Sequence, residues 1–240
     1  MDLGLSGKTA LVTGGSHGIG LAISAALARE GCDLHIAARD QERLSLASGW
    51  VRAQSLNRNH CMTYQFDALL PEAVNRLAYK ILQAGGVDIL VNNVGGGGRW
   101  GTTPPETPLE TWDDVYQKNA RCAVQLTRAL LPTMLERGWG RMVTIASIHG
   151  REAGSTPGFM MAKSAEIALM KGLAMSVTPD KRVTFNSVAP GFIHIEGKDT
   201  EPSKGTPEDV AAAVAFLCSQ QAKHINGACL VIDGGEGRAF

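Results

Sequence analysis

Apolar residues in this chain gather into short runs without strict alternation, and longer amphipathic stretches separate the runs. Ala10-Leu11-Val12-Thr13, Asp88-Ile89-Leu90-Val91 and Met142-Val143-Thr144-Ile145 are examples. A strand covered by helices on both faces reads this way, because neither set of alternating side chains meets water. The pattern predicts strands at Lys8–Gly14, Leu34–Arg39, Met62–Asp67, Val87–Asn93, Arg141–Ser147, Val183–Val188 and Ala228–Asp233. Between them a 3.6-residue period predicts helices over Ile19–Glu30, Gln41–Ser55, Pro71–Ala84, Thr111–Arg137, Thr156–Val177 and Pro207–Ser219. Gly31 suits the left-handed position that follows a helix, and Thr206-Pro207 has the cap-then-proline order of a helix start. Met160-Met161 reads as core packing. Regular alternation of about seven strands with helices predicts an α/β fold, a doubly wound parallel sheet with helices on both faces. Gly95–Gly98 is a local glycine run rather than a boundary, so residues 1–240 read as one domain.

Composition narrows the partners. A chain of 240 residues, 44% hydrophobic and 19% charged, has the usual make-up of a globular protein. Lys plus Arg and Asp plus Glu both number 23, so there is no basic excess of the kind a nucleic-acid partner calls for. No apolar run reaches the roughly 18–20 residues that span a bilayer, so no membrane partner is expected. Met1–Ala10 carries Asp2 and Lys8 and leads into a strand, unlike a signal peptide. Cys32, Cys61, Cys122, Cys218 and Cys229 are widely spaced without metal-ligand or redox spacing. They read as reduced, buried thiols of a cytoplasmic protein, with no metal.

The first strand runs into Thr13-Gly14-Gly15-Ser16-His17-Gly18-Ile19-Gly20, and a helix follows at once. Glycine removes the Cβ and lets backbone approach a pyrophosphate, while the helix start offers free N–H groups and the positive end of its dipole. Gly14, Ser16, His17, Gly18, Ile19 and Gly20 are therefore candidate cofactor-binding residues. Thr-Gly-x-x-x-Gly-x-Gly after a first strand resembles the short-chain dehydrogenase/reductase family, and the resemblance extends over the whole chain. It implies a Rossmann-like dinucleotide-binding domain. Asp67 stands where the family has an acid near the adenine. Asn92-Asn93-Val94-Gly95 resembles the family's Asn-Asn-Ala-Gly, with Val for Ala. Asn119 matches its catalytic asparagine, and Asp233-Gly234-Gly235 closes the last strand. The resemblance implies that Asn93, Gly95, Pro190, Gly191 and Ile193 line the cofactor. It also implies a small-molecule substrate and a homo-oligomer, dimer or tetramer, built on Thr111–Arg137 and Thr156–Val177.

An acid at the tip of strand two would bind the ribose hydroxyls of NAD and repel the 2′-phosphate of NADP. Here the strand ends Ile36-Ala37-Ala38-Arg39. The arginine fork suits a phosphate, and His17 stands where NADP users often carry a basic residue. NADP(H) is favoured over NAD(H), although Asp40 beside Arg39 counts against it.

The resemblance implies catalytic roles for Ser147 and Lys163, but the family's Tyr-x-x-x-Lys reads Phe159-Met160-Met161-Ala162-Lys163. A phenol has a pKa of about 10, which a lysine ammonium lowers, and phenylalanine has no proton to give. Losing a positioned general acid typically costs about 10²–10⁴ in rate. Three explanations stay open. His149, or water held by Ser147 and Lys163, supplies the proton; or the protein binds nucleotide without redox turnover; or the phenylalanine was engineered. Lys163 retains a family role toward the nicotinamide ribose in all three. Arg99, Trp100 and Arg151 point to an anionic or polyhydroxylated, sugar-like substrate. The short segment Phe192–Gly205 stands in for the family's lid, with polar Glu196, Lys198, Asp199 and Glu201, and Ile195 lies where many members have a threonine. The expected activity is hydride transfer between NADP(H) and a carbonyl or alcohol.

Overall fold

The computed structural model describes residues 2–55, 60–98, 103–195 and 205–239. Its strands are β1 (Thr9–Thr13), β2 (Asp33–Ala38), β3 (Cys61–Gln65), β4 (Ile89–Asn92), β5 (Gly140–Ile145), β6 (Val183–Pro190) and β7 (Cys229–Ile232). They form a seven-stranded sheet in the order β3-β2-β1-β4-β5-β6-β7, with every neighbouring pair parallel. The helices are α1 (Gly18–Arg29), α2 (Gln41–Gln54), α3 (Pro71–Gln83), α4 (Leu109–Tyr116), α5 (Cys122–Arg137), α6 (Pro157–Ser176) and α7 (Pro207–Cys218). This is the doubly wound sheet that the alternation predicts.

Two hydrophobic cores explain the unbroken apolar runs. Ala10 and Val12 of β1 and Ile89 and Val91 of β4 pack with α1, α2 and α7 on one face. Leu11 and Leu90, between them in sequence, pack with α3, α5 and α6 on the other. Successive side chains point to opposite faces, and each face is a core, so the strand has no polar side.

Local signals hold in detail. Gly31 has φ of +83°, and the Cys32 N–H closes the end of α1 on the Leu27 carbonyl. Thr206 caps α7 reciprocally with Asp209. Two expectations need correction. The stretch Thr111–Arg137 is not one regular helix, since a π-helical turn over Gln117–Arg121 joins α4 to α5. Met161 is 46% exposed and so is not core. Cys32, Cys61, Cys122 and Cys218 are buried free thiols, while Cys229 is half-buried.

At the amino end of the sheet, Arg141 is only 2% exposed. Its guanidinium donates to the carbonyls of Gly140 (2.8 Å), Arg182 (3.1 Å) and Ser219 (3.4 Å). It also lies 4.5 Å from the centroid of the Trp139 ring, which takes the Lys8 ammonium at 4.1 Å. Arg141 thus ties β5 to the carboxyl end of α7. Arg141→Met keeps most of the stem but orphans buried carbonyls, so urea unfolding should show a loss of about 1–3 kcal/mol. The same change at exposed Arg43 should stay within about 0.5 kcal/mol.

Candidate active site

The strand order reverses at β1. The chain goes to β2 and β3 on one side and to β4 and onward on the other, which opens a crevice at the carboxyl ends of β1 and β4. Thr13 and Asn93 stitch the crevice floor. The buried Thr13 Oγ1 donates to the Val91 carbonyl (3.3 Å) and accepts from the Asn93 and Val94 N–H groups (3.0 and 3.2 Å). Asn93 Nδ2 donates to the Thr13 carbonyl at 2.8 Å. Gly14 and Gly18 have φ of +66° and +53°. A Cβ on Gly14 would come within 2.8 Å of Asn93 Nδ2, and one on Gly20 would strike the Gly14 carbonyl. The glycines are therefore required by the fold of the loop itself. His17 precedes α1 without a side-chain cap, and no acid stands in the first turn. The first N–H groups of α1 thus have no side-chain acceptor and present the positive end of a 12-residue helix.

A cleft of about 340 Å³ lies over this loop, lined by Gly14, Ser16, His17, Arg39, Arg43 and Gly95 among others. Arg39 is exposed at its edge. Asp40 also lines this cleft. It caps α2 by accepting from the Glu42 and Arg43 N–H groups (both 3.0 Å) and lies 3.5 Å from Arg43 Nε. Those amides and Arg43 offset part of the Asp40 charge, which still borders the cleft beside Arg39. Arg43 is a second cation that the sequence reading missed; its signal was its place one turn beyond Arg39. Asp67 accepts from the Leu69 N–H at 3.0 Å, just beyond Phe66 at the cleft wall. A larger cavity of about 550 Å³ lies on the far side of the loop, lined by His17, Trp50, His194 and Ile195, but it takes in neither the carboxyl end of β4 nor Lys163.

The other end of the crevice is built on the π-turn and α6. Asn119 sits in the π-turn, and such turns are frequent at functional sites. Its Nδ2 donates to the Val115 and Gly96 carbonyls (2.6 and 3.1 Å), and its Oδ1 accepts the Gly96 N–H at 3.1 Å. This locks the glycine run after β4 against α4. Ser147 follows β5, and its Oγ accepts the backbone N–H of His149 at 3.2 Å. The His149 ring lies against Gly154, where a Cβ would meet Cε1 at 2.5 Å. Its Nδ1 is buried with no hydrogen-bond partner among the described residues. Phe159 and Lys163 stand one turn apart on α6, with Lys163 Nζ 5.7 Å from the phenyl centroid.

Lys163 is 4% exposed. Nζ donates to the Ile145 carbonyl at 2.8 Å and lies 2.8 Å from Glu166 Oε2. Glu166 is 1% exposed, in a stripe of α6 that buries Gly158, Ala162 and Met170 at four-residue spacing. The sequence reading missed it, although an acid in the middle of that stripe was the available signal. Burial pushes the Glu166 carboxyl up to about 7, against the opposing pull of Lys163.

Pro190 ends β6. Gly191 packs against Asp233, where a Cβ would lie 2.7 Å from Asp233 Cβ, and Ile193 bridges to Gly205 and joins the α1–α7 core. Ile195 reaches over Gly18, 3.1 Å from where a Cβ would be. Arg99, Trp100, Glu196, Lys198, Asp199 and Glu201 lie outside the described residues. Arg151 lines a small cavity with Asp233 and Ala239 rather than the glycine-loop cleft. Among the described residues, no group of three His, Cys, Asp or Glu could hold a metal, and no helix is long and apolar enough to cross a membrane.

A parallel sheet that reverses at a glycine-walled crevice, with an uncapped helix start on one side and a buried lysine on the other, defines a dinucleotide-binding class of protein. Residues 8–204 match the sequence model of the short chain dehydrogenase family. The chain belongs to that family, whose fold binds nicotinamide cofactors, and is an oxidoreductase of its type. It is 32% identical over 250 residues to dehydrogenase/reductase SDR family member 4 of Homo sapiens, covering 96% of this chain and 88% of the relative. It is 33% identical over 252 residues to nodulation protein G of Azospirillum brasilense, covering 96% and 98%. The crystal structure of L-sorbose reductase from Gluconobacter frateurii, complexed with NADPH and L-sorbose, superposes over 100% of both chains with a TM-score of 0.90 and 30% identity.

Glu166 makes a prediction about stability. Its carboxyl holds a proton more firmly folded than unfolded, so its contribution is fully present below 4.5 and is lost as pH rises through about 7. Glu166→Gln removes that loss. Calorimetric melting should show the variant gaining on the wild type between about pH 5 and about pH 8, by about 2–4 °C for each kcal/mol involved. A difference that stays constant across that range would show that Glu166 does not titrate there.

Proposed function

We propose that this protein is an NADP(H)-dependent oxidoreductase acting on a carbonyl or alcohol of a small, polar, sugar-like molecule. The observation that carries the nucleotide reading is the cradle at Gly14–Gly20. Its glycines have no room for side chains, and the first amides of α1, which have no side-chain acceptor, border it, so glycine backbone can approach a ligand closely there. The cradle fits a pyrophosphate. Gly14, Ser16, His17, Gly18, Ile19 and Gly20 would hold it, with Gly95, Pro190, Gly191 and Ile193 bordering the rest of the nucleotide. Asn93 would act by holding the loop, because its amide is committed to Thr13. Arg39 and Arg43 support NADP(H), having the charge and planar geometry to take a 2′-phosphate at a strand tip that ends in alanine rather than an acid, against the single charge of Asp40. Asp67 would border the adenine. When bound, the nicotinamide supplies the hydride.

Ser147 would hold the substrate oxygen, with Asn119 and Lys163 completing the catalytic group and Phe159 standing where the family has its tyrosine. Proton delivery then falls to water held between Ser147 and Lys163. His149 is less suited, since its ring is turned onto Gly154 and only its main chain meets Ser147. The sugar-like substrate rests on the similarity to L-sorbose reductase. A nucleotide-binding protein with little turnover is the second reading, and Phe159 is the observation that favours it. We further propose one cytoplasmic domain that assembles with itself through α4, α5 and α6, where Tyr116, Val124, Met161 and Met175 are exposed.

Two measurements test this. In calorimetric titration, Arg39→Ala should weaken NADPH about tenfold and leave NADH nearly unchanged, the difference expected for one charge-assisted phosphate contact. Equal loss for both nucleotides would move the 2′-phosphate elsewhere. In a panel of keto-sugars and simple ketones with NADPH, Phe159→Tyr should raise turnover by about 10²-fold or more. Equal turnover in both proteins would show that another group already delivers the proton.

A further inference from the structure

Glu166 is the one carboxylate buried in the core among the described residues. It lies opposite a lysine that also reaches the crevice wall. Lys163 Nζ is within 3.0 Å of the position a Cβ on Gly95 would take, and Asn119 Oδ1 is 2.5 Å from the same point. The ammonium therefore spans from Glu166 in the interior to the Asn119–Gly95 wall. A buried acid beside a buried base is costly unless the two offset each other, and perturbed pairs of this kind concentrate at working sites. With Phe159 in place of a phenol, the helix turn before Lys163 has no group that could ionise. Glu166, one turn after it, is the anion within contact.

We propose that Glu166, acting through Lys163, sets the charge at the nicotinamide end of the crevice and thereby the preference between oxidised and reduced nucleotide. Glu166 is a positioning residue, and the inference rests on the nucleotide-binding reading above. With Glu166 ionised, the pair is neutral. With Glu166 protonated, the full positive charge of Lys163 remains. Only the oxidised nicotinamide ring is positively charged, so protonation should penalise the oxidised nucleotide alone. Of the other titratable groups, Cys122 on α5 is pushed by burial to about 12 and stays a neutral thiol. Lys118 on the π-turn, whose pKa burial lowers, lies by the glycine run, with Nζ 3.9 Å from the positions a Cβ on Gly96 or Gly98 would take. Burial lifts Glu166 to about 7, which places the change near neutrality.

The experiment is the pair of dissociation constants for NADP⁺ and NADPH, read by calorimetry between about pH 6 and about pH 8.5, in wild type and Glu166→Gln. Both nucleotides carry the same 2′-phosphate, so its titration cancels in the ratio. The wild-type ratio Kd(NADP⁺)/Kd(NADPH) should rise about three- to tenfold as pH falls, the size expected of one charge at close range in a partly solvated site. In Glu166→Gln it should stay at the high, acid value throughout. A flat wild-type ratio, or a variant that keeps the wild-type profile, overturns the inference. So does a wild-type profile that His17→Ala or His149→Ala abolishes, and this arm decides the matter if Glu166→Gln does not fold. If neither nucleotide binds at any pH, the nucleotide reading itself fails; binding with an unchanging ratio removes only the role of Glu166.

Discussion

The divergence of the chain at β1 is the constraint on which the rest depends. Parallel neighbours need long crossovers, and sending one set to each side of β1 leaves the carboxyl ends of β1 and β4 with no connection between them. The gap must be held open at a fixed width. Thr13 Oγ1 does this by serving three backbone groups of the β4 end at once, and Asn93 returns an amide to Thr13 and Gly14. These polar atoms at the floor are satisfied by one another. Above them the Gly14 N–H is taken by the Ala37 carbonyl at 2.7 Å, while the first N–H groups of α1 are left without a side-chain acceptor.

At the far end of the crevice the same logic runs through charge. A lysine that is 4% exposed needs an acceptor for each donor and an anion for its charge. The Ile145 carbonyl meets the first need in part, and Glu166 meets the second. Desolvation outweighs the attraction, since the carboxyl is raised despite the ammonium 2.8 Å away. An apolar side chain at 166 would continue the Gly158–Ala162–Met170 stripe at less cost. The ionisable pair that stands there instead is what the charge-setting role proposed for Glu166 requires.

Much of this was legible in the sequence, for physical reasons that also mark where legibility ends. Leu11 and Val12 serve different cores, so the strands read as unbroken apolar runs and the α/β class followed. The glycine loop could be read because its constraints are local steric ones between Gly14, Gly20 and the β4 end. The π-turn could not be, because nothing in Gln117–Arg121 prefers it. It exists where Asn119 is drawn to both backbone groups of Gly96, more than twenty residues away. Glu166 escaped because an acid three residues after a lysine normally reads as a solvated helix pair. Only the packing of α6 on β5, β6 and α4 turns that face inward. Asp40 shows a further limit, since the sequence suggested a competing charge beside Arg39 but not that the same carboxylate also caps α2 and pairs with Arg43.

Binding and chemistry in this crevice are built from different materials, and this separates their fates. The cradle is backbone, fixed by glycines whose replacement would break the turn, so it persists while side chains around it change. Proton transfer rests on individual side-chain atoms, so on the proposed reading one missing oxygen at Phe159 would remove a donor without disturbing a strand or a helix. Ser147, Asn119 and Lys163 keep positions around the same space because each also has structural partners: the His149 N–H, Gly96 and Ile145. A chain of this family can thus keep a complete nucleotide seat while its proton path is rewritten. On the reading proposed above, the charge beside Lys163 comes from the helix interior, through Glu166 at 2.8 Å.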